Sequence, residues 1–339
     1  MIIQMKPTAT KKQYDKATGY LKEKDFEIRD VSSEHVMVFG IIGDTSRIDP
    51  HDLYAFDGVG EVTRVSTPFK KASRSFKRED TVITLPQGIT IGSDTFVMMA
   101  GPCSVESEEQ LRTIAKGVKA AGAHMLRGGA YKPRTSPYSF QGLEEEGLRI
   151  LRKVGDETGL SVVTEIPSAD LLPLFEQYVD VIQVGARNMQ NFHLLKALGK
   201  ATKPILLKRG LSATIEEWLM AAEYIMAGGN EHIILCERGI RTYEKYTRNT
   251  LDISAVLAVR ELSHLPVIID PSHAAGRWQM IEKLSMASLA VGAHGLIVEV
   301  HHDPEHAMSD GAQSLKIPKF KAMMASLEKM ADVVGVSLK

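Results

Sequence analysis

Eight short apolar runs recur through the last three-quarters of the sequence: Phe96 to Ala100, His124 to Leu126, Ser161 to Thr164, Val181 to Val184, Ile205 to Leu207, Ile233 to Cys236, Val267 to Asp270 and Gly295 to Val300. Polar residues follow each run, and then a stretch of helical period, as in Glu108 to Ala121, Thr214 to Met226 and Arg277 to Val291. Eight β-α units in roughly 250 residues match the count and size of a closed (β/α)8 TIM barrel. An open doubly wound sheet is the alternative, but such sheets do not usually reach eight equal units. Ahead of the first unit, Val82 to Leu85 and Ile89 to Ile91 read as a hairpin around Pro86-Gln87-Gly88.

Residues 1–66 have a different order: strand, helix, strand, strand, helix, strand. The expected strands are Met1 to Met5, Phe26 to Val31, His35 to Ile42 and Glu61 to Val65, with helices near Lys11 to Lys22 and Pro50 to Phe56. Turns are expected at Ser32-Ser33 and Gly58-Val59-Gly60. This is the split β-α-β pattern of a small ferredoxin-like α+β domain. Thr67 to Asp80 is basic and has no apolar period beyond Phe69 and Phe76, so it reads as a linker with a solvated face. The expected division is a domain at 1–66, a linker at 67–80 and an α/β barrel at 81–339.

Composition narrows the function classes. The 41 basic and 42 acidic residues leave a net charge of -1, so no broad basic field draws the molecule to nucleic acid or a membrane surface. No apolar run approaches a membrane span, and Met1 to Pro7 lacks the regions of a signal peptide. The two cysteines, Cys103 and Cys236, form no disulfide framework. A cytoplasmic enzyme is the expectation.

In a barrel of this kind, chemistry sits just beyond the C-terminal strand ends. Two groups of residues fall there. Arg127, Lys132, Arg134, Arg187, Lys208 and Arg238 would gather six positive charges at one mouth, which calls for a polyanionic ligand. Cys103, His273, Glu299 and Asp310 come from strands one, seven and eight, neighbours across the closure, and together suit a divalent transition metal. Taken singly, Cys103 reads as a small buried apolar residue and His273 as a structural histidine. Strand parity puts Glu299 on the inward face with Ile297 and Gly295. Cys236, inside the sixth strand, reads as core, and His301, His302 and His306 as exposed histidines without ligand spacing.

The segments A-G-P-C-S-V-E, L-R-G-G-A-Y-K-P-R-T-S-P, Q-V-G-A-R-N, L-L-K-R-G, C-E-R-G-I-R-T, D-P-S-H and S-D-G-A-Q-S resemble those of 3-deoxy-D-arabino-heptulosonate 7-phosphate (DAHP) synthases, over about residues 82–335. The nearest type is the short one with a ferredoxin-like N-terminal extension. The resemblance implies that phosphoenolpyruvate lies against Arg127, Lys132, Arg187, Lys208 and Arg238. It places erythrose 4-phosphate on Arg134, Thr135 and Ser136, and a metal on Cys103, His273, Glu299 and Asp310. Mn²⁺ is the first expectation, with Fe²⁺, Zn²⁺ and Co²⁺ as alternatives. Lys132, or a water on the metal, would protonate the new alkoxide, and Glu165 would orient its neighbours.

The resemblance further implies a homotetramer, with residues 1–66 binding an aromatic amino acid, tyrosine or phenylalanine, as feedback inhibitor. His35 and Asp44 are candidates for that effector site, a structural role for each being the alternative. A rival in the same superfamily is 3-deoxy-D-manno-octulosonate 8-phosphate synthase, which uses arabinose 5-phosphate. That family has an Asn-Arg-Ser-type segment where this chain reads Lys132-Pro133-Arg134-Thr135-Ser136. Two further rivals are a Schiff-base aldolase working through Lys208 and a non-catalytic amino-acid sensor.

Overall fold

A computed structural model describes residues 1–33, 36–64, 67–132, 136 and 138–338. The chain divides into two compact units, Met1–Lys70 and Lys71–Lys339.

In the first unit, β1 (Ile2–Met5), α1 (Lys11–Glu23), β2 (Glu27–Asp30), β3 (Val38–Ile42), α2 (Pro50–Leu53) and β4 (Val59–Thr63) build an antiparallel sheet in the order β2-β3-β1-β4. This is the ferredoxin-like arrangement. Helix α1 starts in a capping box, where Thr10 accepts from Gln13 N and the Gln13 side chain accepts from Thr10 N. Its buried stripe of Tyr14, Ala17 and Leu21 packs with Ile3, Met5 and Phe39. Tyr14 and Phe39 meet edge to face at 5.3 Å.

Two expectations for this unit are corrected. Helix α2 ends at Leu53 rather than Phe56, and β4 begins at Val59 rather than Glu61. The left-handed turn residue is Gly58, at φ 91°, which frees Val59 to pair with Met5. His35 and Val65 lie outside the described residues.

The second unit opens with the hairpin β5 (Ile83–Thr84) and β6 (Thr90–Ile91). The barrel strands follow: β7 (Val97–Gly101), β8 (Met125–Arg127), β9 (Ser161–Glu165), β10 (Val181–Val184), β11 (Ile205–Lys208), β12 (Ile233–Glu237), β13 (Val267–Ile269) and β14 (Gly295–Glu299). They close into a parallel barrel, with β14 against β7 and β9 against β10. Between and after them run α3 (Glu108–Ala120), α4 (Glu144–Thr158), α5 (Leu172–Tyr178), α6 (Phe192–Leu198), α7 (Ile215–Ala227), α8 (Ser254–Leu262), α9 (Pro271–Ala275), α10 (Trp278–Ala290) and α11 (Ile317–Val334). The short α9 was not anticipated; Gly276, at φ 68°, separates it from α10.

Ile83, Leu85 and Ile91 of the hairpin join inward residues of the strands, including Met99, Leu206, Cys236 and Ile297, in one apolar core. Burial of this kind contributes roughly 25 cal/mol per Å² of apolar surface. The basic stretch after Lys70 is fastened to the barrel: Lys71 N and Ala72 N donate to the Glu223 carboxylate, and Thr81 N donates to His264 O at 2.7 Å.

Several strands run one residue further than their apolar runs, because pairing continues into the polar mouth: Arg127 pairs with Val163 and Glu299 with Gly101. At Gly101 the neighbouring backbone leaves no room, since a Cβ there would stand 2.0 Å from Arg127 O. A Gly101→Ala variant is therefore expected to lose about 1–3 kcal/mol through overpacking. Denaturant unfolding checks it, and unchanged stability would show that the β7–β8 approach is soft.

Candidate active site

The polar ends of the barrel strands surround a cavity of about 510 Å³. Lys132, Arg187, Lys208 and Arg238 line it, together with Ser136 and Glu165. Each is delivered by a strand end: Lys208 closes β11, Arg238 follows β12, Glu165 ends β9, and Arg187 sits in a short 3-10 turn after β10. Arg238 is only 5 % exposed, and its Nη1 is buried without a hydrogen-bond partner among the described residues. Burial lowers the pKa of this guanidinium, with Arg248 adding to the effect. An unsatisfied buried cationic donor is costly unless an anion completes it.

Arg127 lies at the base of the mouth. Its Nη1 donates to Glu299 Oε1 at 3.0 Å and to Pro102 O at 2.7 Å. Arg134 and Thr135 lie outside the described residues.

Beside the cations stands a cluster of acids. Ligand atoms of Cys103, Glu299 and Asp310 all lie within 4.8 Å of one another. Cys103 Sγ donates to Asp310 Oδ2 at 3.4 Å, and Lys132 Nζ stands 3.0 Å from that sulfur and 2.9 Å from Cys103 O. His273 Nε2 approaches Glu299 Oε1 to 3.4 Å. Asp310 is held at φ 50°, a left-handed conformation an aspartate tolerates better than most residues.

The electrostatics of the cluster follow from burial. Burial raises the Cys103 thiol pKa, and Glu299 adds to it, with Lys132 and Arg127 opposing. Burial opposes the charge of Glu299, which is 1 % exposed, yet its carboxyl is held below the usual range, with the Arg127 guanidinium 3.0 Å away. His273 is pushed down chiefly by burial, so its ring is neutral and available as a donor of electron pairs. One thiol, two carboxylates and a neighbouring neutral imidazole form a donor set that fits a divalent transition metal.

Two family models match the chain: the DAHP synthetase I family over residues 80–334 and the DAHP synthase ferredoxin-like domain over residues 1–67. The chain belongs to the DAHP synthetase I family. Among curated relatives of this DAHP synthetase I chain, the phospho-2-dehydro-3-deoxyheptonate aldolase of Thermotoga maritima is 50% identical over 338 residues, covering 100% of both chains. A 2-dehydro-3-deoxyphosphooctonate aldolase of Geobacter sulfurreducens is 32% identical over 268 residues, 73% of this chain and 96% of that protein. Among solved structures, the DAHP synthase of Thermotoga maritima superposes with a TM-score of 0.95 at 50% identity, covering 99% of this chain and 98% of that one. A truncated form of the 3-deoxy-D-arabino-heptulosonate 7-phosphate synthase from the same organism gives a TM-score of 0.73 at 52% identity, over 78% of this chain and 97% of that one.

The structure adds residues to the DAHP synthetase site that sequence reasoning did not single out. Asp270 contacts both Lys208 and His273. Gln313 Nε2 donates to Glu299 Oε2 at 2.7 Å, and Arg241 and Arg248 line the cavity. His301 corrects an expectation: it is buried, with Nδ1 accepting from Asp303 N at 3.0 Å and Nε2 facing Glu106 Oε2 at 3.4 Å. Glu106 Oε1 also accepts from Met308 N, and Ser104 Oγ contacts Ser309 Oγ, so the loops carrying Cys103 and Asp310 are tied together. His302 and His306 are exposed, and Cys236 is fully buried within β12.

Behind Lys208, Arg209 Nη1 bonds Glu237 Oε2 at 3.0 Å and Asp252 Oδ2 at 2.8 Å. Burial raises the Glu237 carboxyl above its usual range, with Arg209 opposing. Arg209→Met would strand that carboxylate and is expected to destabilise the fold by about 3–5 kcal/mol. A group whose folded pKa is raised loses stabilisation as pH climbs from its unfolded to its folded value. The variant's deficit should therefore be larger at pH 8 than at pH 5 in denaturant titrations; an equal deficit would contradict the assignment.

Proposed function

We propose that this chain condenses phosphoenolpyruvate with D-erythrose 4-phosphate and water, giving 3-deoxy-D-arabino-heptulosonate 7-phosphate and phosphate. This is the first step of the shikimate route to chorismate and aromatic amino acids. The observation that carries the reading is the joining, in one mouth, of a cation-lined cavity with an unsatisfied Arg238 and the Cys103–Glu299–Asp310 cluster. The full-length identity to a phospho-2-dehydro-3-deoxyheptonate aldolase supports it.

In this reading Arg127, Lys132, Arg187, Lys208 and Arg238 hold the phosphate and carboxylate of phosphoenolpyruvate, whose planar oxygens suit guanidinium forks. Arg134, Thr135 and Ser136 hold the phosphate of the sugar. Cys103, His273, Glu299 and Asp310 hold a divalent metal, Mn²⁺ first, with Fe²⁺, Zn²⁺ or Co²⁺ as alternatives. Such a metal supplies Lewis acidity to the aldehyde oxygen. Carbon 3 of the enol attacks the aldehyde carbon, water adds at carbon 2, and that carbon then loses phosphate. Lys132, whose Nζ lies 3.0 Å from Cys103 Sγ, would give a proton to the new alkoxide, a water on the metal being the alternative donor. Glu165, which accepts from Gln183 Nε2 at 3.0 Å, keeps the cavity wall oriented from the β9 end.

Phosphate release with each sugar phosphate, with and without a chelator, tests the reading. Turnover with erythrose 4-phosphate that the chelator abolishes is the expected result, and Cys103→Ala should fall roughly 100-fold or more. Preference for arabinose 5-phosphate would instead make the chain an octulosonate 8-phosphate synthase. Borohydride trapping on Lys208 would make it a Schiff-base aldolase, and zero turnover with added Mn²⁺ a sensor.

We assign regulation to residues 1–66, joined to the barrel at 81–339 through residues 67–80, with tyrosine or phenylalanine as feedback inhibitor. A cleft of about 340 Å³ inside the first unit, lined by Tyr20, Lys24, Phe26 and Arg47, offers aromatic surface and cations to such an effector. Asp44 is paired with Lys70. No helix among the described residues is long and apolar enough to cross a membrane. The expected assembly is a cytoplasmic homotetramer. Deleting residues 1–66 should leave turnover and remove inhibition; a truncated enzyme still inhibited by both amino acids would refute the assignment.

A further inference from the structure

Asp270 follows the last residue of β13 and is 1 % exposed. Its Oδ1 accepts from His273 N at 2.9 Å, and its Oδ2 accepts from His273 Nδ1 at 2.7 Å. The same Oδ2 receives Lys208 Nζ, which arrives from β11, two strands away around the barrel. One carboxylate oxygen therefore joins His273, beside the acid cluster, to a side chain of the cationic cavity.

We propose that Asp270 is a positioning residue shared by the two halves of the site. By accepting from Nδ1 it selects the His273 tautomer with the proton on Nδ1, which leaves the Nε2 lone pair facing Glu299 and the donor cluster. By receiving Lys208 it sets the ammonium at the wall of the cavity, where an anion is to bind. This rests on the metal-dependent reading above.

A purely structural role is the competing explanation, because Asp270 is also the N-cap of α9. Asparagine separates the two. Its carbonyl oxygen can still cap His273 N, so the helix start survives. It brings no negative charge, and its amide presents donors where Lys208 Nζ and His273 Nδ1–H each need an acceptor. Loss of the charge also leaves the buried Lys208 without its counter-ion, so some loss of stability accompanies the substitution and the melt is read beside the binding.

The experiment uses the full chain stripped of metal. Co²⁺ and Mn²⁺ are titrated into wild type and Asp270→Asn, with phosphoenolpyruvate binding measured on the same metal-free samples and thermal melts as a control for folding. The variant should bind metal about 10–100-fold more weakly and also bind phosphoenolpyruvate more weakly, without a matching collapse of the melt. Wild-type metal affinity in a folded Asp270→Asn protein would overturn the inference while leaving the metal reading intact. No metal binding by wild type would overturn that reading and the inference with it. Should the variant fail to fold, the wild-type protein still decides: in ¹⁵N-histidine spectra of the Zn²⁺-loaded chain, with His273 assigned by its absence in His273→Gln, Nδ1 should carry the proton. A deprotonated Nδ1 would overturn the proposal.

Discussion

Everything at the barrel mouth depends on keeping Glu299 ionised inside the protein. It is nearly inaccessible, and a carboxylate in that position needs compensation from every side. Arg127 supplies a guanidinium at 3.0 Å and Gln313 an amide at 2.7 Å, while His273 Nε2 lies 3.4 Å away. Cys103 and Asp310 crowd the same charge without neutralising it. The result is a set of donors that is electrostatically incomplete, next to a cavity where the buried Arg238 guanidinium is incomplete in the opposite sense. The two deficits explain why one ligand should be a metal and the other an anion, and why they should meet.

The scaffold makes that concentration of charge tolerable. Ile83, Leu85 and Ile91 join inward strand residues such as Met99, Leu206 and Ile297 in one apolar core, and the charged residues of the site lie at the strand ends. Gly101 lets β7 approach β8 closely, and the contacts of Glu106 with Met308 and of Ser104 with Ser309 hold the first and last loops together. Since Cys103 and Asp310 belong to those two loops, contacts between their chain neighbours help to set the geometry of the donor cluster.

Much of this was legible in the sequence because it follows from periodicity. Eight alternating units give the barrel, inward parity puts Glu299 with Ile297, and adjacency of strands one and eight brings Cys103, Glu299 and Asp310 together, with His273 from strand seven beside Glu299. What the pattern did not show depends on tertiary contact. Asp270 reads as the end of the seventh apolar run, and only the start of α9 and the approach of Lys208 from another strand reveal its two roles. His301 looks like one of three loop histidines until Glu106, nearly two hundred residues earlier, folds against it. The short α9 is hidden because five residues are too few to display a helical period.

The central claim is that one mouth holds a divalent cation on Cys103, Glu299 and Asp310 beside an anion on Arg238. Anomalous diffraction from crystals grown with Mn²⁺ and phosphoenolpyruvate tests it most directly. The account predicts a single strong peak among those three side chains, with His273 as a fourth ligand and the phosphoenolpyruvate oxygens against Arg238. Manganese bound elsewhere, or phosphoenolpyruvate seated away from the cavity, would contradict it.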